Sequence, residues 1–248
     1  MFENKISVIM AYFDKKKYVE NSIDSVLNQS HKDLELLIIY DDESKKDLKF
    51  LQILSKKDKR IKLIINEKNL GAGESRNKGI KLSKSNFISF IDSDDLWDID
   101  KLKIQINFMI KNGLSISHTS YKIIDKLNYK IGSRKSIANL NYEDLLKSCD
   151  IGLSTVMMKK NLIDDNYKFA NLKTKEDYVF WLKLAKKGFE FKLINIELTS
   201  WRKLDKSLSS SVLQKLKDGY LVYSKFMKFN FLKSFYYLIR LSIYSLLR

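Results

Sequence analysis

Asp92-Ser93-Asp94 puts two carboxylates on one edge of a chain segment, and Asp95 follows at once. Oxygen ligands of this kind suit Mg²⁺ or Mn²⁺, which usually stay partly hydrated and share substrate phosphates. A divalent ion between such carboxylates and a diphosphate would act as a Lewis acid on a departing nucleoside diphosphate. Asp41-Asp42 offers acceptors for a nucleobase N–H and a ribose hydroxyl. Arg76, near a helix start, could meet a phosphate or a base. Each piece has a plainer reading. Asp92–Asp95 could be an acidic turn with Asp95 or Asp98 capping the next helix. Asp41-Asp42-Glu43-Ser44 is turn-like. Arg76 could serve a surface ion pair.

The elements that must position these residues decide between the readings. Buried strands are predicted at Ile6–Tyr12, Leu34–Tyr40, Ile61–Ile65 and Phe87–Ile91, with helical spacing at Val19–Leu27, Leu48–Leu54, Glu74–Leu82 and Ile99–Ile110. This alternation predicts an α/β fold with a parallel, doubly wound sheet over residues 1–112. Ligands bind outside the carboxyl ends of the strands in such sheets. Those ends carry Tyr12-Phe13-Asp14, Asp41-Asp42, Asn66 with Asn69–Arg76, and Asp92–Asp95. A basic protein that gathers acids at one edge needs a cation or ligand to offset their repulsion. Gly71 and Gly73 read as loop residues, and neither a P-loop nor a Gly-x-Gly-x-x-Gly spacing occurs.

The second half is less regular. Strands are predicted near Leu114–Ile124, Thr155–Lys159 and Phe189–Trp201, extending the first sheet. Asn141 with Asp144 predicts a short helix, Lys175–Lys187 a longer one, and a helical tail follows from about Ser211. The 248 residues are 44% apolar, enough for a core, and carry a formal charge of +16. With the one cysteine Cys149 and the histidines His31 and His118, an internal disulfide and a Cys/His zinc site are both excluded. The first residues do not read as a signal peptide, and no apolar run approaches the roughly 20 residues of a spanning helix, so a cytoplasmic location is expected. No acid follows Asp218. The stretch 219–248 mixes Lys225, Lys228, Lys233, Arg240 and Arg248 with aromatics. This suits peripheral contact with an anionic membrane surface, or a helix packed on the domain with solvated lysines. Nucleic acid is not expected as a partner.

Taken in order, several pieces resemble the family 2 glycosyltransferases, which have the GT-A fold. They are Ser7-Val8-Ile9-Met10, Ser25–Ser30 (SVLNQS), Asp41-Asp42, Asn69-Leu70-Gly71, Ser75–Ile80 (SRNKGI), Phe90–Asp95 (FIDSDD), Lys101-Leu102, Lys175–Leu182 (KEDYVFWL) and Trp201-Arg202 with Ser207-Leu208-Ser209. The resemblance covers about residues 5–211. It implies a mostly parallel GT-A sheet in a 1–210 domain, with a nucleotide-binding half at 1–112, an acceptor-binding half at 113–210 and a tail at 211–248.

The resemblance further implies inverting transfer of a sugar from a nucleotide-sugar donor to a saccharide or lipid-linked acceptor in cell-surface polysaccharide synthesis. UDP would be the first choice of nucleotide, with GDP and dTDP the alternatives, and Mn²⁺ or Mg²⁺ the cofactor, on the cytoplasmic face of the membrane. Asp41 would bind the base, with Tyr12, Asp14, Asp42, Asn69 and Ser93 about the nucleotide and Arg76 near base or phosphates. Asp92 would touch ribose or metal, and Asp94 would hold the metal. Asp177 would be the general base, taking the acceptor proton as the oxygen attacks, with helix capping as its plainer reading and Glu176 as the competing base. Glu176, Trp181, Trp201 and Arg202 fall on the acceptor side, with a core position the other reading of Trp181. Ala11 and Glu43 stand where the family usually has Pro and Gly, and a Cβ at Glu43 would resist a positive-φ turn. A sugar-nucleotide nucleotidylyltransferase is the alternative enzyme, but it needs a Gly-rich basic loop where Tyr12-Phe13-Asp14 stands. A basic nucleic-acid-binding protein is the non-enzymatic alternative.

Overall fold

The computed structural model describes residues 4–136, 139–205 and 211–246. The first half alternates β1 (Ile6–Tyr12), α1 (Lys16–Leu27), β2 (Leu34–Tyr40), α2 (Leu48–Ser55), β3 (Ile61–Ile65), α3 (Ala72–Leu82), β4 (Phe87–Phe90), β5 (Leu96–Trp97) and α4 (Lys101–Lys111). The second half runs β6 (Ile116–Ile124), β7 (Lys130–Arg134), α5 (Tyr142–Leu145), β8 (Met157–Lys159), α6 (Glu176–Lys186), β9 (Lys192–Arg202), α7 (Val212–Leu221) and α8 (Phe231–Leu246). The strands form one sheet in the order β3-β2-β1-β4-β8-β6-β9-β5, with β7 on β6.

β2 is buried at every position, as expected of a strand covered on both faces. In β1, Val8, Met10 and Tyr12 pack with α1, α2 and α4, whereas Ile9 packs with α3 and α6. The sheet therefore separates two cores, and β1–β4 pair in parallel. Beyond β4 the pairing is mixed. β8 runs antiparallel to β4 and β6, while β6 and β9 are parallel. The three-residue β8 arrives from a 3-10 turn at Leu153–Thr155, and an antiparallel neighbour needs no crossover helix.

The acidic turn does not cap α4. Asp100 is the N-cap residue and makes no side-chain cap bond; instead Gln29 Oε1 accepts from Leu102 N at 2.9 Å. Gln29 also donates to Asp98 O, and Ser25 Oγ accepts from Trp97 N. The SVLNQS segment is thus a clamp that holds the turn between β4 and α4 against α1. At α5 the Asn141–Asp144 pair forms a reciprocal capping box.

The tail is anchored on its inner side. Val222, Tyr223, Met227 and Leu241 are buried in the same core as α6. The hydroxyls of Tyr223 and Tyr178 lie 2.9 Å apart, and Asp218 Oδ2 accepts from Thr174 N and Oγ1, each at 2.9 Å. Its outer side leaves apolar residues in solvent, with Leu213 81% and Leu232 77% exposed. No helix among the described residues is long and apolar enough to cross a membrane. Ser207-Leu208-Ser209 lies outside the described residues.

Candidate active site

Three carboxylates, Asp41 and Asp95 buried and Asp177 half-buried, shape the floor of the carboxyl edge, each through a different neighbour. Asp41, at the end of β2, accepts from Asn66 Nδ2 (2.7 Å), Leu70 N (2.8 Å) and Gly71 N (2.8 Å). These bonds fold the 69–71 loop back onto the strand end. Gly71 turns the chain into α3 with φ +83°, a value that favours glycine. Two residues on, Gly73 lies against the opposite wall, where a Cβ would approach Ala170 O to 2.6 Å. Asp95 lies below the acidic turn, accepting from Ser154 Oγ (2.6 Å) and Arg202 N (2.9 Å). Ser154 Oγ also accepts from Asp92 N at 3.0 Å, so β8's approach turn fixes the path of Asp92–Asp95. Asp177 sits in the first turn of α6 and accepts from Tyr178 N at 2.7 Å.

Arg76 binds these parts together. From the second turn of α3, its Nη2 reaches Asp92 Oδ1 at 2.8 Å and its Nη1 reaches Glu176 Oε1 at 2.5 Å, with the guanidinium over the Phe169 ring. Burial opposes its charge, but the carboxylates of Asp92 and Glu176 outweigh burial and hold the proton more tightly than usual. Asp177 goes the other way for a carboxyl: burial first, then the like charge of Glu176, push it up to about 7 against the pull of Arg76. Asp94 is raised by burial and by Asp92, with Lys15 opposing.

A cleft of about 520 Å³ opens over this floor. Its lining brings together Tyr12, Asp14, Asp41, Asn69, Arg76, Asp92, Ser93, Asp94, Glu176, Asp177, Trp201 and Arg202. A second cavity of about 300 Å³ adjoins it, sharing Asp92, Leu153, Asp177 and Trp201 and adding Tyr121, Cys149, Gly152, Thr155 and Thr199. Residues separated by more than 160 positions in sequence thus face one space.

Several expectations need correction. Trp181 is fully buried among Phe90, Phe169, Phe180 and Phe191 and is core, not an acceptor contact. Asp42 does not line the cleft; its Oδ1 accepts from Ser44 N and Oγ, closing the turn after β2. Tyr12 only borders the space, because its ring stacks on Tyr40 and its hydroxyl donates to Asp47. Arg202 stays in the cleft lining and also braces the acidic turn: its Nε and Nη1 donate to Asp94 O and Asp125 O. The feared strain at Glu43 does not arise. Lys45 takes the positive φ of that turn, and Glu43 Oε1 accepts from Asn69 N at 2.6 Å. Asp14 has a positive φ and pairs with Lys46 at 2.6 Å. Residues not foreseen in the lining include Lys15, Lys173, Thr174 and Lys175. Lys15 follows a strand-end acid directly, a position that could have flagged it; Lys175 opens the quoted KEDYVFWL segment, whereas Lys173 and Thr174 carried no such signal.

The comparisons agree with this edge. The description Glycosyl transferase family 2 matches residues 7–181. The UDP-Glc:α-D-GlcNAc-diphosphoundecaprenol β-1,3-glucosyltransferase WfgD of Escherichia coli is 35% identical over 237 residues, 94% of this chain and 90% of that protein. WfaP of Escherichia coli, a glucosyltransferase of the same description, is 34% identical over 212 residues, 85% of this chain and 82% of its own. Among solved structures, S. aureus TarS 1-349 in complex with UDP-GlcNAc superposes with a TM-score of 0.71 at 22% identity, covering 88% of this chain and 64% of that one. At that identity the likeness speaks for the GT-A fold alone. With most of its length matched by the family and by relatives above 30% identity, and with the Asp41, Asn69–Gly71, Arg76, Asp92–Asp94 and Lys175–Asp177 pieces facing one cleft, this chain belongs to glycosyl transferase family 2.

Proposed function

We propose that this glycosyltransferase moves a hexose from a UDP-sugar, with inversion, onto a lipid-diphosphate-linked saccharide during assembly of a cell-surface polysaccharide. The observation that carries the reading is the position of Asp177 in the wall shared by two adjoining spaces. An in-line displacement needs the leaving diphosphate on one side of the anomeric carbon and the acceptor hydroxyl on the other. The larger space, with Asp41, Asn69 and Asp94, suits the nucleotide. The smaller, with Tyr121 and Trp201 as apolar faces and Asp92 and Asp177 as polar partners, suits an acceptor ring. As the acceptor oxygen forms its bond to the anomeric carbon, the bond to the diphosphate oxygen breaks. Asp177 takes the acceptor proton. A carboxyl raised to about 7 is well matched to that task near neutral pH. Glu176 is held by Arg76 and so is less free to act as base. The donor and acceptor classes are supported by the descriptions of WfgD and WfaP.

Mn²⁺ or Mg²⁺ fits the donor set, with Asp92 and Asp94 as its carboxylate ligands. No group of three potential ligands occurs among the described residues. Two carboxylates suffice for an ion that completes its shell with water and phosphate oxygens. When bound, such an ion would offset negative charge gathering on the departing diphosphate.

The test is a thermal-shift screen of nucleotide sugars with Mn²⁺, followed by transfer to GlcNAc-diphospholipid with and without EDTA. A UDP-hexose should raise the melting temperature and yield a β-linked product that EDTA suppresses. Binding without turnover on any diphospholipid-linked sugar would overturn the acceptor assignment.

The outer side of α7 and α8 supports a second element of this reading, peripheral contact with anionic lipid. Leu213, Leu216, Leu232, Phe235 and Ile239 are exposed there, alongside Lys225, Lys228, Lys233 and Arg240. Deleting the tail is a poor test, since it would strip Tyr223 from the core. Leu232→Glu with Phe235→Glu should instead weaken association with phosphatidylglycerol liposomes while sparing transfer to a water-soluble acceptor. Equal partitioning would leave these helices a packing role only.

A further inference from the structure

Both acids proposed to hold the metal already have cationic partners from the chain. Arg76 Nη2 lies 2.8 Å from Asp92 Oδ1, and Lys15 Nζ lies 2.8 Å from Asp94 Oδ2. The two partners differ in freedom. The Arg76 side chain is 6% exposed and also tied to Glu176, so it cannot leave without stranding a buried charge. Among the described residues the Lys15 ammonium has no such second ion pair. Its side chain is 23% exposed, and it follows Asp14 on the chain leading from β1 into α1, at the rim of the cleft. Its neighbours point elsewhere, Lys16 towards Asp47 at 4.0 Å and Lys17 over the Tyr18 ring. Of the Lys15-Lys16-Lys17 run, only Lys15 lines the cleft.

An ammonium at hydrogen-bond distance occupies the carboxylate edge that a divalent ion would need, and the two cations repel at such range. We propose that Lys15 is the resident counter-ion of Asp94, that it competes there with the divalent cation, and that it transfers to the donor diphosphate when the cation takes its place. Lysine chemistry suits the exchange. It is a compact charge on a flexible stem, able to change partners without the fixed fork of a guanidinium. The consequence is a coupling. Alone, the metal must displace Lys15 with no compensation; with the nucleotide present, Lys15 gains phosphate oxygens in return. Metal and nucleotide therefore favour each other's binding, reciprocally. The inference rests on the metal-ligand reading of Asp94.

Lys15→Met, which keeps the stem and removes the charge, tests it without relying on turnover. Mn²⁺ binding is read by electron paramagnetic resonance, and UDP binding by calorimetry. Without UDP, the variant should bind Mn²⁺ about tenfold more tightly than the parent, and at saturating Mn²⁺ it should bind UDP about tenfold more weakly. Lys16→Met, the control on the adjacent lysine, should change neither. Unchanged or weaker Mn²⁺ binding in Lys15→Met would overturn the competition, and unchanged UDP affinity would overturn the transfer to phosphate. If Asp94→Asn binds Mn²⁺–UDP as well as the parent, the metal-ligand reading itself fails and takes this inference with it, an outcome distinguishable from failure of Lys15 alone.

Discussion

Glu35 and Asp177, near opposite edges of the β1–β4 sheet, are treated in opposite ways by their surroundings. At the amino edge, Glu35 accepts from Ser7 Oγ (2.6 Å), Lys62 Nζ (2.5 Å) and Lys84 N (3.1 Å), and Ser83 Oγ donates to Ser7 Oγ at 2.7 Å. Burial raises that carboxyl, yet these bonds overcome it and hold it down at about 2. At the carboxyl edge, Asp177 accepts one neighbouring N–H, faces the charge of Glu176, and is pushed up to about 7. The lesson is that burial alone does not decide a pKa; the supply of donors and the charges alongside do. Where the fold needs only to stand, the acid is satisfied. At Asp177, the acid proposed to meet the acceptor, donors are fewer than at Glu35, and fewer than at Asp41 in the same cleft.

Exchanging the charge at each edge should give the largest contrast. Asp177→Asn should lower transfer by about 10²–10⁴-fold with UDP affinity nearly unchanged. Glu35→Gln should leave the rate per folded molecule within about twofold but cost about 1–3 kcal/mol of stability through unpaired partners, read by urea unfolding. Near-normal turnover in Asp177→Asn would break the comparison at its functional end.

pH should separate the edges next. Asp177 must be ionised to act as base, so kcat/KM should rise through about pH 7. Its stability contribution has the opposite slope. A folded-state pKa raised from 3.8 to about 7 binds protons that the unfolded chain releases, so this stabilisation is lost as pH rises across that interval. Glu35 is lowered from 4.5 to about 2, so its stabilisation is present above 4.5 and lost as pH falls towards about 2. Denaturant titrations of Asp177→Asn and Glu35→Gln against the parent should each flatten one of these slopes and leave the other.

The smallest effect is expected at a residue that serves the carboxyl edge indirectly. Ser154→Ala removes the oxygen that meets Asp92 N and Asp95 Oδ2. It should cost about 1–3 kcal/mol of stability and raise the UDP–Mn²⁺ Kd several-fold. An unchanged Kd with lowered stability would make Ser154 a matter of folding only.

Much of the first half was legible because its strands are short apolar runs bounded by turn residues, and their ends carry the acids. The capping box at Asn141–Asp144 was readable for the same local reason. The SVLNQS segment was recognisable but not interpretable. Gln29 works on Leu102 and Asp98, about seventy residues away, and no local spacing reports such a bond. Trp181 shows the converse limit. A tryptophan one turn from an acid admits both a sugar-stacking and a core reading, because helical geometry puts the two on one face; what decides is the packing, which covers Trp181 with phenylalanines one turn further along α6.

By itself the sequence determined the alternation of strands and helices and the order in which acids leave the strand ends, because side-chain period and apolar run length are local properties. Only the tertiary structure decided which charges face one another. Lys15 meets Asp94, Arg76 joins Asp92 to Glu176, and Asp177 is left short of donors. Pairing and desolvation depend on distance in space, and chain order does not encode that distance.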